Sequence, residues 1–224
     1  MTFPMPTFMP DVAAFPSLSY QTATASATDA SSYSFSSQAI GTAAANRYVI
    51  VGICLRRSFD TTTTTITGVT VGGISATQAV TIGVAQAGAY HRGSLYIVNV
   101  PTGTTATVAI TLNISATRLG IGVWSAYDIS SSTPTDTATS TDVSSQTLDL
   151  DVDANGFAIG VNYANGAPAL SWSGLTERFE QNVEDDNDMS GADSTETSAQ
   201  TPLSVTATIT SGNNVGFGCT ASWR

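Results

Sequence analysis

A chain of 224 residues with 17 acidic and seven basic side chains carries a formal net charge of −10, and all seven basic residues are arginine. That balance repels polyphosphate and argues against nucleic acid as a partner. Only 11% of the residues are charged, so the surface is left largely to Ser and Thr, which make up more than a quarter of the chain and of which β-branched Thr suits the solvent face of a sheet.

The length fits one large all-β domain. No stretch reaches the roughly 18 apolar residues needed to cross a bilayer, and the N-terminus lacks the charged and apolar regions of a secretory signal. The expectation is a soluble chain with no membrane partner and no export signal. Cys54 and Cys219 are too few for a disulfide scaffold and sit in apolar runs, so both are expected as buried free thiols.

The first segment, about residues 1–28, differs from all that follows. "MTFPMPTFMPDVAAFPSL" holds half of the eight prolines and three of the four methionines. Proline at this density disfavours helix and sheet interior and favours extended backbone. Such an arm cannot bury its own Phe3, Met5, Phe8, Met9 and Phe15, yet it is too apolar for an ordinary disordered tail. These five side chains are the expected partner-binding residues. They are expected to pack across their own domain or to dock on a neighbouring subunit or other partner.

From about Ser31 the pattern has period two, broken by Gly, Asn, Pro and Ser-Thr clusters, which predicts an all-β sandwich over 29–224. "NRYVIVGICLRR" is apolar on both faces and is expected to be covered on each side, by a second sheet and a subunit contact or by the arm. In "TATVAITLNI", Ala106, Val108, Ile110, Leu112 and Ile114 point inward, with Thr105, Thr107, Thr111 and Asn113 outside. "RLGIGVWSAYD" sets Leu119, Ile121 and Val123 against Gly120, Gly122 and Trp124, and the glycines would admit another backbone or a partner closely. "LSVTATIT" points Leu203, Val205, Ala207 and Ile209 inward, and "NVGFGCTASWR" forms a last strand inside the sheet. About a dozen strands in two packed sheets predict a jelly-roll-like sandwich.

The chemistry-bearing candidates reduce to architecture. Asp151-Val-Asp153-Ala-Asn155-Gly156 matches the opening of an EF-hand loop, but an EF-hand needs flanking helices and a Glu at its twelfth position, where Asn162 stands. Asn-Gly between alternating runs predicts a type I′ hairpin instead. Asp149, Asp151 and Asp153, about 7 Å apart along one strand face, leave a weak surface calcium site open.

The acidic run around Glu184, Asp185, Asp186 and Asp188 reads as a solvated connection, and Glu177 and Glu180 on one strand would face opposite sides. His91, the one histidine, has no nucleophile motif beside it and reads as structural or solvent-exposed. Tyr90, Tyr96, Trp124, Tyr127 and Trp172 suit either a sugar-stacking platform or packing, and their alternation favours packing. No catalytic, cofactor-binding or metal-ligating set is expected.

The phrases "IGTAAANRYVIVGI", "ITGVTVGGISATQ", "LYIVNVPTGTTATVAIT", "IGVWS", "DVDANGFAIGV" and "SWSGLTERFE" follow one another from Ile40 onward. In that order they resemble β-sandwich virion structural proteins of tailed phages, of the head decoration, cement, spike or tail-fibre types. The resemblance implies a non-enzymatic particle component, made in the host cytoplasm and placed on the virion surface, with capsid or tail proteins as partners. Homo-oligomerisation is expected, and no cofactor. The leading expectation is head decoration, cement or a head spike. The alternative is a receptor- or glycan-binding module of a tail fibre or adhesin.

Overall fold

The structure is a computed structural model and describes residues 15–166, 169–183, 187–210 and 215–224. The first half of the chain supplies β1 (Ser17–Ser26), β2 (Ala30–Ala39), β3 (Arg47–Arg57), β4 (Ile66–Val71), β5 (Ile74–Ser75), β6 (Thr77–Gln86), β7 (Ala89–Asn99), β8 (Thr105–Ala116) and β9 (Arg118–Tyr127). These build two antiparallel sheets: an inner N-sheet ordered β1-β9-β3-β7-β6 and an outer N-sheet ordered β2-β8-β4-β5.

The second half supplies β10 (Asp136–Ser140), β11 (Ser145–Thr147), β12 (Leu150–Val152), β13 (Phe157–Asn165), β14 (Leu170–Ser173), β15 (Thr176–Asn182), β16 (Asn187–Thr195), β17 (Gln200–Leu203), β18 (Thr206–Ile209) and β19 (Gly216–Trp223). An inner C-sheet runs β10-β19-β13-β16-β15, and an outer C-layer consists of the small sheets β11-β18-β14 and β12-β17.

The molecule is all-β, as its periodicity indicates, but it stacks four layers where the sequence predicts two sheets. Side-chain alternation explains the number. On β3, Val49, Val51, Ile53 and Leu55 enter a core shared with Val69, Val108 and Ile110 of the outer N-sheet. Ile50 and Cys54, on the opposite face of β3, enter a second core with Val161, Phe217 and Cys219 of the inner C-sheet. A strand apolar on both faces needs cover on both. Here each cover is a sheet of the same chain rather than a subunit or the arm. A third core, with Leu148, Leu150, Val152 and Val205, separates the inner C-sheet from the outer C-layer.

Close approach at the seam between the two inner sheets explains the glycines of β9. A Cβ on Gly122 would lie 2.5 Å from Phe179 and one on Gly120 would lie 2.9 Å from the Met189 sulfur. The partner these glycines admit is therefore the second half of the same chain. Phe179, Tyr20 and Trp124 interlock there, with ring centroids 5.7 to 5.9 Å apart, and aromatic pairs at such spacings are favourable beyond their buried area.

Three sequence expectations change. Residues 17–26, read as part of the arm, form the edge strand β1 against β9. Proline ends at Pro16, and Leu18 and Tyr20 then find cover in the central core. The Asn155-Gly156 turn exists, with the Gly156 amide donating to the Asp153 carbonyl at 2.9 Å, but it is not a hairpin. β12 pairs with β17 while β13 pairs with β16 and β19, so the turn carries the chain from the outer C-layer into the inner C-sheet.

Only Asn155 takes a positive φ, of 60°, so the turn is not type I′. Gly156 is required by proximity, since a Cβ there would meet the Trp223 carbonyl at 2.7 Å. Third, "NDMSGADST" is no solvated connection. It is β16, flanked by β13 and β15 inside the inner C-sheet, and Asp188 and Asp193 are buried on it.

One buried cation braces the first sandwich. The wholly buried Arg47 donates to the carbonyls of Gly41, Val100, Thr102 and Gly103 at 2.7 to 2.9 Å. Its planar fork ties two loops together with no carboxylate involved.

Candidate functional site

Of the five expected partner-binding residues, Phe3, Met5, Phe8 and Met9 lie outside the described residues. Phe15 is described and stands 61% exposed. It opens a cleft of about 350 Å³ with Leu18, Asn155, Gly156 and Glu196. Phe15 thus stands at the sheet edge that β1 forms, beside the turn that links the two C-terminal layers.

The acidic candidates separate. Asp149 Oδ1 accepts the Val205 amide at 2.7 Å, while Asp153 Oδ2 lies 3.5 Å from the Thr135 hydroxyl. Each of these two carboxylates has a local partner, and among the described residues no three acidic, His or Cys groups converge to hold a metal. Glu184, Asp185 and Asp186 lie outside the described residues.

Glu177 and Glu180 correct the sequence reading. A bulge between Glu177 and Phe179 leaves Glu177 opposite Ala192 and Glu180 opposite Ser190, two residues apart on β16 and hence on one face. Partial burial, and then the Glu180 charge, raise the Glu177 pKa.

Asp193 belongs to a built polar contact at the seam. Its Oδ2 accepts Trp124 Nε1 at 2.8 Å, and its Oδ1 accepts Arg178 Nε and Nη2 at 2.9 and 2.7 Å. The hydrogen bonds to Asp193 raise the Arg178 pKa. The contact joins the two sandwiches through one carboxylate that neither loses to solvent.

His91 is fully buried, which decides between the two sequence readings in favour of a structural role. Its ring lies 5.7 Å from Tyr163 and 5.8 Å from Phe217. Burial, then the neighbouring Arg56 charge, push its pKa down to about 4. Both cysteines are buried and free, and burial raises the Cys219 thiol to about 12. Neither is a thiolate nucleophile at neutral pH. Trp124, Tyr90 and Tyr96 are core residues, in line with the packing that their alternation favours, while Tyr127 and Trp172 are half-buried.

A different aromatic does stand in solvent. Phe59, in the turn after β3, is 97% exposed with a φ of 59°. The turn is pinned on both sides of the ring. Arg57 Nη2 donates to Asp60 Oδ2 at 2.6 Å, Asp60 Oδ1 accepts the Thr62 amide at 2.7 Å, and the Ser58 and Thr117 hydroxyls meet at 2.9 Å. The Arg57 and Thr62 hydrogen bonds hold the Asp60 carboxyl well below the usual carboxylate range.

Phe59 lines an open cleft of about 590 Å³ with Asp29, Arg56, Ser58, Thr117 and Arg118. Sequence reading passed over this residue because no periodicity marks it. The available signal was a large apolar ring in the polar turn "RRSFDTTTTT". No protein-family model matches the chain, and no curated protein or solved structure matches it either.

Proposed function

We propose that the chain is a non-enzymatic structural component on the outside of a phage particle, decorating or cementing the head shell or forming a head spike as a homo-oligomer. The jelly-roll kinship of the sandwiches, capsid or tail proteins as partners and the virion surface as location belong to the same proposal. The observation that carries it is the root of the arm. Phe15 is left in solvent at the end of an apolar, proline-rich segment that meets the body at an edge strand.

Full burial of each large apolar side chain is worth about 1.5 to 3 kcal/mol, so partial docking of Phe3, Met5, Phe8, Met9 and Phe15 offsets the ordering of the arm and holds a subunit in place. Many weak copies on one shell reinforce one another through effective concentration.

Deleting residues 1–14 tests this while keeping β1 intact. The truncated chain is expected to remain β-rich by circular dichroism and monodisperse, yet to fail to join particles or form its native oligomer. Incorporation at unchanged affinity would refute the staple role. A second reading, a receptor- or glycan-binding module of a tail fibre or adhesin, is favoured by one observation, the solvent-standing Phe59 ring on the lip of a polar cleft.

A further inference from the structure

Residues 15–46 carry one charged side chain, Asp29, in a chain whose net charge is −10. Two copies of so acidic a chain repel over most of their surface, so an uncharged stretch of this length is where like copies can meet. The fold turns it into two neighbouring strands, and both are sheet edges: β1 of the inner N-sheet and β2 of the outer N-sheet.

An edge strand presents a row of unpaired N–H and C=O groups, which proteins blunt with charge, proline, bulges or shortness. The other edges of the five- and four-stranded sheets are blunted or tied down. β2 has two register shifts and a positive φ at Ser37. β15 carries Glu177, Arg178, Glu180 and a bulge, β5 has two residues, and β10 has five and includes Asp136. β6 is uncharged, but Gln86 at its end is tied to the C-terminal half, donating to the Thr141 carbonyl and accepting the Gly216 amide. β1 is different. "SLSYQTATAS" has ten residues, no charge, no proline and one register shift, between Tyr20 and Thr22. None of the ten is buried, and among the described residues the strand pairs with β9 alone.

A second observation points to the same edge. The two aromatic rings left standing in solvent lie at its opposite ends. Phe15, 61% exposed, precedes β1, and Phe59, 97% exposed, lines a cleft with Asp29, which follows β1. Ser17 aligns with Tyr127 and Arg47, and Ser26 with Leu119 and Leu55, so these ends are roughly 30 Å apart at the rise of a strand. Phe59 also holds a positive φ, a strained conformation that its exposed ring does not repay within the fold. A two-fold axis through an antiparallel strand pair sets the beginning of each strand against the end of the other. Pairing β1 with β1 of a second copy therefore brings each Phe15 beside residues 27–29 of its neighbour, next to the neighbour's Phe59.

We infer that β1 is a strand-addition interface for a second copy of this chain. The two β1 strands pair antiparallel about an axis near Gln21, the two five-stranded inner N-sheets become one continuous sheet, and Phe15 of each copy covers Phe59 of the other. Pro4, Pro6 and Pro10 favour polyproline backbone, which makes no ladder hydrogen bonds, so residues 1–14 are a poor occupant of the edge. The inference rests on the homo-oligomer of the proposed function and names its contact.

The experiment is sedimentation equilibrium of the full chain at micromolar concentration, with oxidative cross-linking of cysteine variants. The chain is expected to be a dimer. Cys54 and Cys219 are buried and do not compete for cross-linking. Gln21→Cys, at the axis, is expected to give a disulfide-linked dimer, because Cα atoms across an antiparallel pair lie about 4.5 to 5.5 Å apart, within disulfide reach. Ile82→Cys, in the middle of β6, is expected to give none.

A variant carrying both Thr22→Lys and Thr24→Lys is expected to keep its circular dichroism and to dimerise at least tenfold more weakly. Phe15→Ala and Phe59→Ala are each expected to weaken dimerisation about tenfold, and together by less than the product, since the rings meet in one contact. A monomer at micromolar concentration, a cross-link through Ile82→Cys in place of Gln21→Cys, or dimerisation unchanged by the lysine pair or by Phe59→Ala would overturn the inference. Incorporation into particles is scored separately. A dimer linked through Gln21→Cys that joins no particle would retire the virion reading and leave the interface standing, and a monomer that joins particles would do the reverse.

Discussion

Replacing His91 with phenylalanine is expected to flatten the acid dependence of stability. His91 sits on β7 opposite Arg56 of β3 and Val84 of β6, and its ring meets Tyr163 and Phe217 across the seam. Burial is the largest cause of its depressed pKa, with Arg56 second and the Gln86 backbone opposing, and the result is about 4 against an ordinary 6.5.

Tyr163, whose ring meets His91 across the seam, is kept neutral by burial. The folded state therefore takes up this proton only near pH 4, whereas the unfolded state takes it up near 6.5. Stability is complete above pH 6.5 and falls by a little over 1 kcal/mol per unit down to pH 4, about 3 kcal/mol in all. That is a large share of the roughly 5 to 15 kcal/mol that holds a domain together.

Urea unfolding at pH 7.5, 6.5, 5.5 and 5.0, compared between the wild type and His91→Phe, isolates the term because all other groups cancel in the difference. Between pH 7.5 and 5.0 the wild type is expected to lose about 2 kcal/mol more than the variant. Parallel pH profiles would refute the reasoning.

Other perturbations test the remaining framework. Arg47→Ala removes four hydrogen bonds to loop carbonyls and is expected to cost about 3 kcal/mol or more in urea unfolding, with Arg47→Lys recovering only part. Gly191→Ala would place a Cβ 2.3 Å from Phe179 and is expected to cost about 1 to 3 kcal/mol, a penalty relieved in a Phe179→Ala background, as a double-mutant cycle would show. Val108→Asp is expected to abolish soluble yield, while Thr107→Asp on the exposed face is tolerated. Calcium at millimolar concentration is expected to leave the melting temperature unchanged, and a rise abolished by Asp151→Ala would restore a metal site on that strand.

How far the sequence could be read depended on whether a strand's periodicity determines its environment. β8 was legible residue by residue because one face meets a core and the other meets water. β3 was legible as doubly covered, but alternation cannot say which chain supplies the second cover or how many layers follow. β16 was missed because its residues are mostly small or polar. Burial of Asp188 and Asp193 depends on partners as distant in sequence as Trp124, and no local pattern encodes those partners.

The common face of Glu177 and Glu180 escaped for a related reason, since a single bulged residue shifts the parity of a strand. The candidate site was harder still. The expected partner-binding residues came from composition alone, and Phe59 owes its prominence to a turn geometry fixed by side-chain contacts from β9's side of the sheet.

The shared wall between the two sandwiches has a consequence for synthesis. By Tyr127 the first sandwich has all nine of its strands, yet the outer side of its inner sheet, with Ile50, Leu95, Ile97 and Trp124, is a bare apolar surface until the inner C-sheet covers it. That sheet cannot assemble early, because β13 lies between β16 and β19, and β19 is made after every other described strand. During elongation the nascent protein thus carries an adhesive half-molecule for nearly a hundred residues. Expressed alone, residues 15–127 should pair face to face through that wall or precipitate, and in the cell the same interval is where a holding chaperone would have the most to grip.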